Sequence, residues 1–137
     1  MRQLIAAYHG LVIQFFKFGI IGLLGFAVDV GVFHIGFDLL NMGKFWSPLF
    51  SFPFAVTSTW LGNRFFTFRG THKGSAGAQW MRFVLTCSIG LVINRGTYYA
   101  LVYSIPLAYH YPTLGLFGGS IAGMFFNFFV SRRLVFR

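Results

Sequence analysis

With 137 residues, 56% of them hydrophobic and only 9% charged, the chain has too little polar surface to cover a water-soluble core, since soluble domains carry about 25% charged residues. Aromatics reach 21%, with 20 Phe, and mean hydropathy is +0.69; such a composition fits a lipid-facing surface. The net charge of +9 comes from basic residues spaced between long apolar runs, which excludes the continuous basic face of a nucleic-acid binder and points to membrane topology and anionic lipid.

The first 13 residues do not read as a cleaved leader. Arg2 supplies one positive charge, but no small-residue cleavage site follows a short apolar core. This segment is expected to form a short interfacial helix with Leu4, Ile5 and Tyr8 toward lipid. A spanning helix needs about 20 mostly apolar residues. Four segments qualify, at 14–40, 46–68, 80–105 and 110–135. They are separated by turn residues: Asn41-Met42-Gly43-Lys44, then Arg69 to Ser75, then Ile105-Pro106 with Tyr111-Pro112. Trp46 and Trp80 stand at segment ends, where indole rings favour the headgroup region. The single cysteine, Cys87, cannot form an intrachain disulfide and reads as a small packing residue.

Basic residues orient the chain. Arg2 and Lys17, then Arg64, Arg69, Lys73 and Arg82, then Arg132, Arg133 and Arg137 all fall on one side. Lys44 alone falls on the other, and Arg95 lies within the third segment. The positive-inside rule therefore places both termini and the central loop in the cytoplasm.

The chain also repeats internally. Lys17-Phe18, Gly25, Asp29 and Gly31 recur as Arg82-Phe83, Gly90, Asn94 and Gly96 at an offset of 65. Ser47, Ser51, Ala55, Thr59, Asn63, Arg64 and Phe68 align with Gly115, Gly119, Gly123, Asn127, Ser131, Arg132 and Phe136 at an offset of 68. The expected architecture is thus an all-α integral membrane protein, one domain over residues 1–137, in which four transmembrane helices form two helical hairpins of the same orientation. A pseudo-two-fold axis along the membrane normal would relate them.

Small residues at four-residue spacing let helix backbones approach closely in lipid, so Gly115, Gly119 and Gly123 read first as packing residues. Both stripes run into polar residues, Thr59 with Asn63 and Asn127 with Ser131, followed at once by Arg64, Arg132 and Arg133. Asp29 lies 11 residues beyond Phe18, roughly 16 Å along the helix, and Arg95 lies 12 beyond Phe83, roughly 18 Å. Charges at that depth cost at least about 2.5 kcal/mol on insertion scales and normally face protein, water or a partner. Asp29 and Arg95 read either as an ion pair joining two helices or as groups that meet an anionic substrate. Asn94, the repeat partner of Asp29, reads as a hydrogen-bonding group toward a sugar or a helix, and His34 as a packing residue. The His and Cys residues show no metal-ligand spacing, and no phosphate-binding loop or nucleophile elbow is present. No enzymatic activity and no cofactor are expected.

Lys17-Phe18-Gly19-Ile20-Ile21-Gly22 with Gly25 and Asp29, the run Asn63-Arg64-Phe65-Phe66-Thr67-Phe68, the Arg82-Phe83 entry and the ending Ser131-Arg132-Arg133-Leu134-Val135-Phe136 resemble the motifs of GtrA-like proteins over nearly the whole chain, from about residue 14 to 137. The resemblance implies a role in bacterial cell-surface polysaccharide synthesis, in the inner membrane: moving a polyprenyl-phosphate-linked monosaccharide from the cytoplasmic to the outer leaflet, beside a glycosyltransferase that makes it. The residues suit such a ligand. Arg64, Arg69, Arg132 and Arg133 are placed to collect its phosphate and Arg95 to neutralise it at mid-depth. Asp29, Thr59, Asn63, Asn94 and Asn127 supply a polar lining for sugar hydroxyls. Four helices enclose little room for a sugar, so a homodimer or a complex with the partner enzyme is expected. Two other readings stand beside this one. A small multidrug exporter accounts for Asp29, although Arg95 would repel cations. A non-transporting anchor for a glycosyltransferase accounts for the topology.

Overall fold

The computed structural model describes residues 2–71 and 74–136, and the side chains within them except those of residues 2–6, 44, 45, 112 and 113. The lipid-facing placement of Leu4 and Ile5 and the side-chain positions of Arg2, Lys44, Lys73 and Arg137 lie outside the described residues. Every regular element among the described residues is helical: α1 (Arg2–His34), α2 (Gly43–Gly62), α3 (Ala76–Ser104), α4 (Pro106–His110) and α5 (Pro112–Val130). Three of the long helices continue into five-residue π-turns, at Ile35–Leu39, Asn63–Thr67 and Ser131–Val135. The residues expected to make a separate N-terminal helix join α1 without a break at Gln14.

Three stretches are long and apolar enough to cross a membrane: Ala7–Leu39, Ala76–Ser104 and Leu114–Val135. Their outward faces suit lipid, with Leu23 71%, Phe26 65%, Val92 71% and Phe117 65% exposed. α2 is more polar and carries Pro48 and Pro53 inside the helix, each of which removes one backbone donor. Three of its hydroxyls turn back onto their own helix. Ser47 donates to the Gly43 carbonyl at 2.7 Å, Ser58 to Ala55 at 2.9 Å and Thr59 to Ala55 at 2.8 Å. Such bonds let Ser and Thr sit in an apolar medium without a stranded donor.

The chain forms two compact units, Met1–Lys73 and Gly74–Arg137. In the first, α1 packs on α2; in the second, α3 packs on α5. The turn between α1 and α2 is made by Asn41 and Gly43, both at positive φ (52° and 75°). That left-handed conformation ends a helix at little cost for Asn and Gly. Ser75 opens α3 by accepting the Ala78 amide at 3.2 Å, as an N-cap does.

The seam of each unit follows the sequence repeat. In the first unit Phe18 meets Phe68 edge to face, with ring centres 6.3 Å apart. Gly25 lies so close to Thr59 that an added Cβ would overlap its hydroxyl. In the second unit the equivalent rings Phe83 and Phe136 meet edge to face at 5.8 Å, and Gly90 lies equally close to Asn127. Trp60 and Phe128, 68 residues apart, are both buried. One contact is reversed: Gly36 packs against Phe50, whereas the equivalent pair has Leu101 packed against Gly118. The two offsets thus mark the same contacts in each hairpin.

Candidate functional site

The second and third π-turns are the most distinctive ends of the two hairpins. Each begins at the residue expected to close a polar stripe, Asn63 or Ser131, and each closes with a five-residue hydrogen bond. The Phe68 amide donates to the Asn63 carbonyl at 2.8 Å, and the Phe136 amide to the Ser131 carbonyl at 2.9 Å. π-Turns inside helices are uncommon and often mark functional positions. Here each turn buries its first and last residues, Asn63 with Thr67 and Ser131 with Val135, and turns its middle outward.

The outward part is cationic and aromatic. In the first unit Arg64 is half-buried, its guanidinium 5.6 Å from the centre of the Trp60 ring and 6.0 Å from Phe65. Lys17 Nζ lies 4.9 Å from the Phe66 ring, and Arg69 is exposed. In the second unit Arg132 and Arg133 are exposed, and so is Arg82, whose Nε donates to the Ala78 carbonyl at 3.2 Å. Long basic side chains that rest their stems on aromatic or apolar surface keep their charged heads available at a membrane boundary. Arg guanidinium groups in general can hold phosphate oxygens in a fork.

Behind the cations lies buried polarity. Asn63 is fully buried, and its amide donates to the Thr59 carbonyl at 3.0 Å. Its Oδ1, the Thr67 hydroxyl and the Gln14 Oε1 are buried with no hydrogen-bond partner among the described residues. The second unit repeats the motif with Asn127 Oδ1 and the Ser131 hydroxyl, again buried and unpartnered. Most buried polar atoms find a partner, so both hairpins hold unused hydrogen-bonding capacity beneath their basic ends. The half-buried Gln14 and the buried Gln79 also stand 65 residues apart, and both escape the sequence reading.

Further along each seam the two units diverge. In the first, Ser51 donates to Asp29 Oδ1 at 2.6 Å and lies 3.2 Å from the Pro48 carbonyl. In the second, Asn94 lies against the backbone of the glycine stripe: a Cβ on Gly119 would overlap the Asn94 carbonyl, and one on Gly123 would sit 3.1 Å from Asn94 Cβ. Gly115 packs under Val102 and Tyr98. All three glycines thus lie in close contact with α3. Thr59, Asn63, Asn94 and Asn127 all stand in the seams, half-buried or buried, whereas Arg95 is exposed on α3. His34 corrects one expectation: it is not packed but 59% exposed, with Nδ1 2.7 Å from Asp38 Oδ2. The one-turn spacing of these two residues outweighs any packing role.

Long apolar helices with lipid-suited outer faces define a helical membrane protein whose two hairpins each end in basic residues. Its family follows from comparison: the family described as GtrA/DPMS, transmembrane domain, matches residues 17–136. The chain belongs to that family, which ties it to the membrane handling of glycosylated lipids. No curated protein matched the sequence.

Proposed function

We propose that the chain translocates a polyprenyl-phosphate-linked monosaccharide from the cytoplasmic to the outer leaflet of a bacterial inner membrane, for glycosylation of cell-surface polysaccharide. In this reading its helices form four spans as two hairpins of the same orientation, with both termini and the central loop cytoplasmic. It acts without catalysis, as a homodimer or beside a glycosyltransferase. The observation that carries the reading is the duplicated edge: a π-turn in each hairpin with cations outside and unpartnered polar atoms within. Arg64, Arg69, Arg132 and Arg133 collect the phosphate. Asn63 and Asn127 accept from sugar hydroxyls as each seam loosens, while Thr59, Asp29 and Asn94 continue the polar track. Arg95 neutralises the phosphate at mid-depth, where an unpaired anion is most costly. The polyprenyl tail stays in lipid.

The test is a proteoliposome assay with a fluorescent polyprenyl-phosphate hexose, in which the fraction open to external quenching reports leaflet exchange. Wild-type protein should accelerate exchange, and Arg95→Ala should abolish it while leaving assembly intact. Exchange no faster than in empty liposomes would remove translocation and favour an anchoring role. Wild-type exchange by Arg95→Ala would remove Arg95 from the path.

A further inference from the structure

The second hairpin ends in a feature that the first lacks. Between α3 and α5 the chain makes the extra helix α4, entered through Pro106 at its first turn. The longer connection accounts for the three-residue growth of the repeat offset, whereas the turn Leu40–Met42 of the first hairpin has no such room. Where α4 folds back on the last turn of α3 it borders an open cavity of about 330 Å³, lined among others by Tyr103, Ser104, Ile105, Pro106, Tyr109 and His110. Cavities of a few hundred Å³ with an apolar wall and a few polar groups are typical small-ligand sites.

Five of the chain's six tyrosines fall between Tyr98 and Tyr111. Tyr103 is 77% exposed and Tyr109 64%. Outside the cavity, Tyr99 stacks on Tyr103 with ring planes 17° apart. Headgroup-level aromatics are common at membrane boundaries, but that role does not call for a cavity or for tyrosine at one hairpin alone. The matching end of the first hairpin carries Phe33, Phe37 and Trp46 and no tyrosine. A wall of phenol rings with the Ser104 hydroxyl and the His110 imidazole beside it suits a small, uncharged ligand that has one C–H face and a rim of hydroxyls. No Lys, Arg, Asp or Glu lines the cavity, which disfavours a free phosphate.

We propose that this cup binds a single neutral pyranose ring, stacked on Tyr103 and Tyr109 and hydrogen-bonded through Ser104 and His110. It lies 20 residues along α3 from Phe83, roughly 30 Å from the basic edge of the same hairpin. The hairpin thus carries a phosphate-type edge at one end and a sugar-type cup at the other. The cup does not depend on translocation, because its ligand is measurable without a lipid carrier.

Saturation-transfer NMR on the full chain in phosphatidylcholine nanodiscs, with methyl α-D-glucopyranoside as probe, tests it. Saturation should reach the ring protons of the glucoside and fall about threefold to tenfold in Tyr103→Leu and Tyr109→Leu, the worth of an aromatic contact. It should persist in Tyr8→Leu, and Tyr103→Phe should keep most of the signal because the ring remains. Absence of saturation with methyl glucoside, mannoside and galactoside alike would overturn the proposal, as would unchanged signal in both leucine variants, loss of signal in Tyr103→Phe, or equal saturation of glycerol. Leaflet exchange by a protein whose cup takes no glycoside would leave translocation standing and remove only the cup.

Discussion

The two hairpins are the same frame filled differently. Phe18 on Phe68 and Phe83 on Phe136 hold their basic ends in one geometry. Midway along the seam the first hairpin places a carboxylate against a hydroxyl, Asp29 on Ser51, while the second places an amide against bare backbone, Asn94 on Gly119. Near the far end, glycine and the bulky residue have exchanged helices, Gly36 with Phe50 becoming Leu101 with Gly118. The shared contacts are those that close the hairpin, and the differences gather at polar positions and at the connection.

The comparison is open to measurement by reversible unfolding in mixed micelles. Phe18→Ala and Phe83→Ala should each cost about 3–5 kcal/mol, the usual range for truncating a buried ring. Costs differing by more than about 2 kcal/mol would break the claim that the two ends carry equal weight. Gly119→Ala should cost about 2–3 kcal/mol, since its Cβ meets backbone. Gly96→Ala, with nothing near its Cβ, should instead be neutral or slightly stabilising. The exchanged pair gives a sharper test. Gly36→Leu and Phe50→Gly should each destabilise, and together should recover about 1–3 kcal/mol of coupling, because the double variant imports the arrangement of Leu101 and Gly118. Additive losses would show that the exchange is not a local packing solution. A smaller effect than for the buried rings is expected from Ser51→Ala, about 1 kcal/mol for one intramembrane hydrogen bond. Asp29→Asn should lose less, since an amide oxygen still accepts from Ser51.

Much of this was legible in sequence because lipid constrains both composition and spacing. The segments at 14–40, 80–105 and 110–135 overlap the three apolar helices, and the offsets of 65 and 68 locate the seam contacts of both hairpins. The segment at 46–68 overlaps α2 and its π-turn, but Ser, Thr and Pro hold its hydropathy below that of the other three. The π-turns were hidden because no side-chain preference distinguishes them from α-helix. Helix α4 was hidden because five residues are too few for a periodicity. Gln14 and Gln79 sit at the margins of apolar runs, where a polar residue reads as an end rather than as buried. The glycine stripe reads as packing, and in the structure Gly115 lies close to Val102 and Tyr98, and Gly119 and Gly123 close to Asn94.

The π-turns also fix a matter of phase. A π-turn holds one more residue than the α-helical turn it replaces, and one residue in an α-helix is about 100° of rotation. The residues beyond each turn therefore point about a quarter of a circle away from where an unbroken α-helix would send them. Phe68 and Phe136 reach the interior, 2% and 3% exposed, on the far side of that step. Removing a single residue from 64–66 or 132–134 would restore an ordinary α-helical turn and leave the terminal ring on the seam, whereas adding one would rotate that ring by about 100° and swing it off. These two short stretches should therefore tolerate the loss of one residue far better than the gain of one.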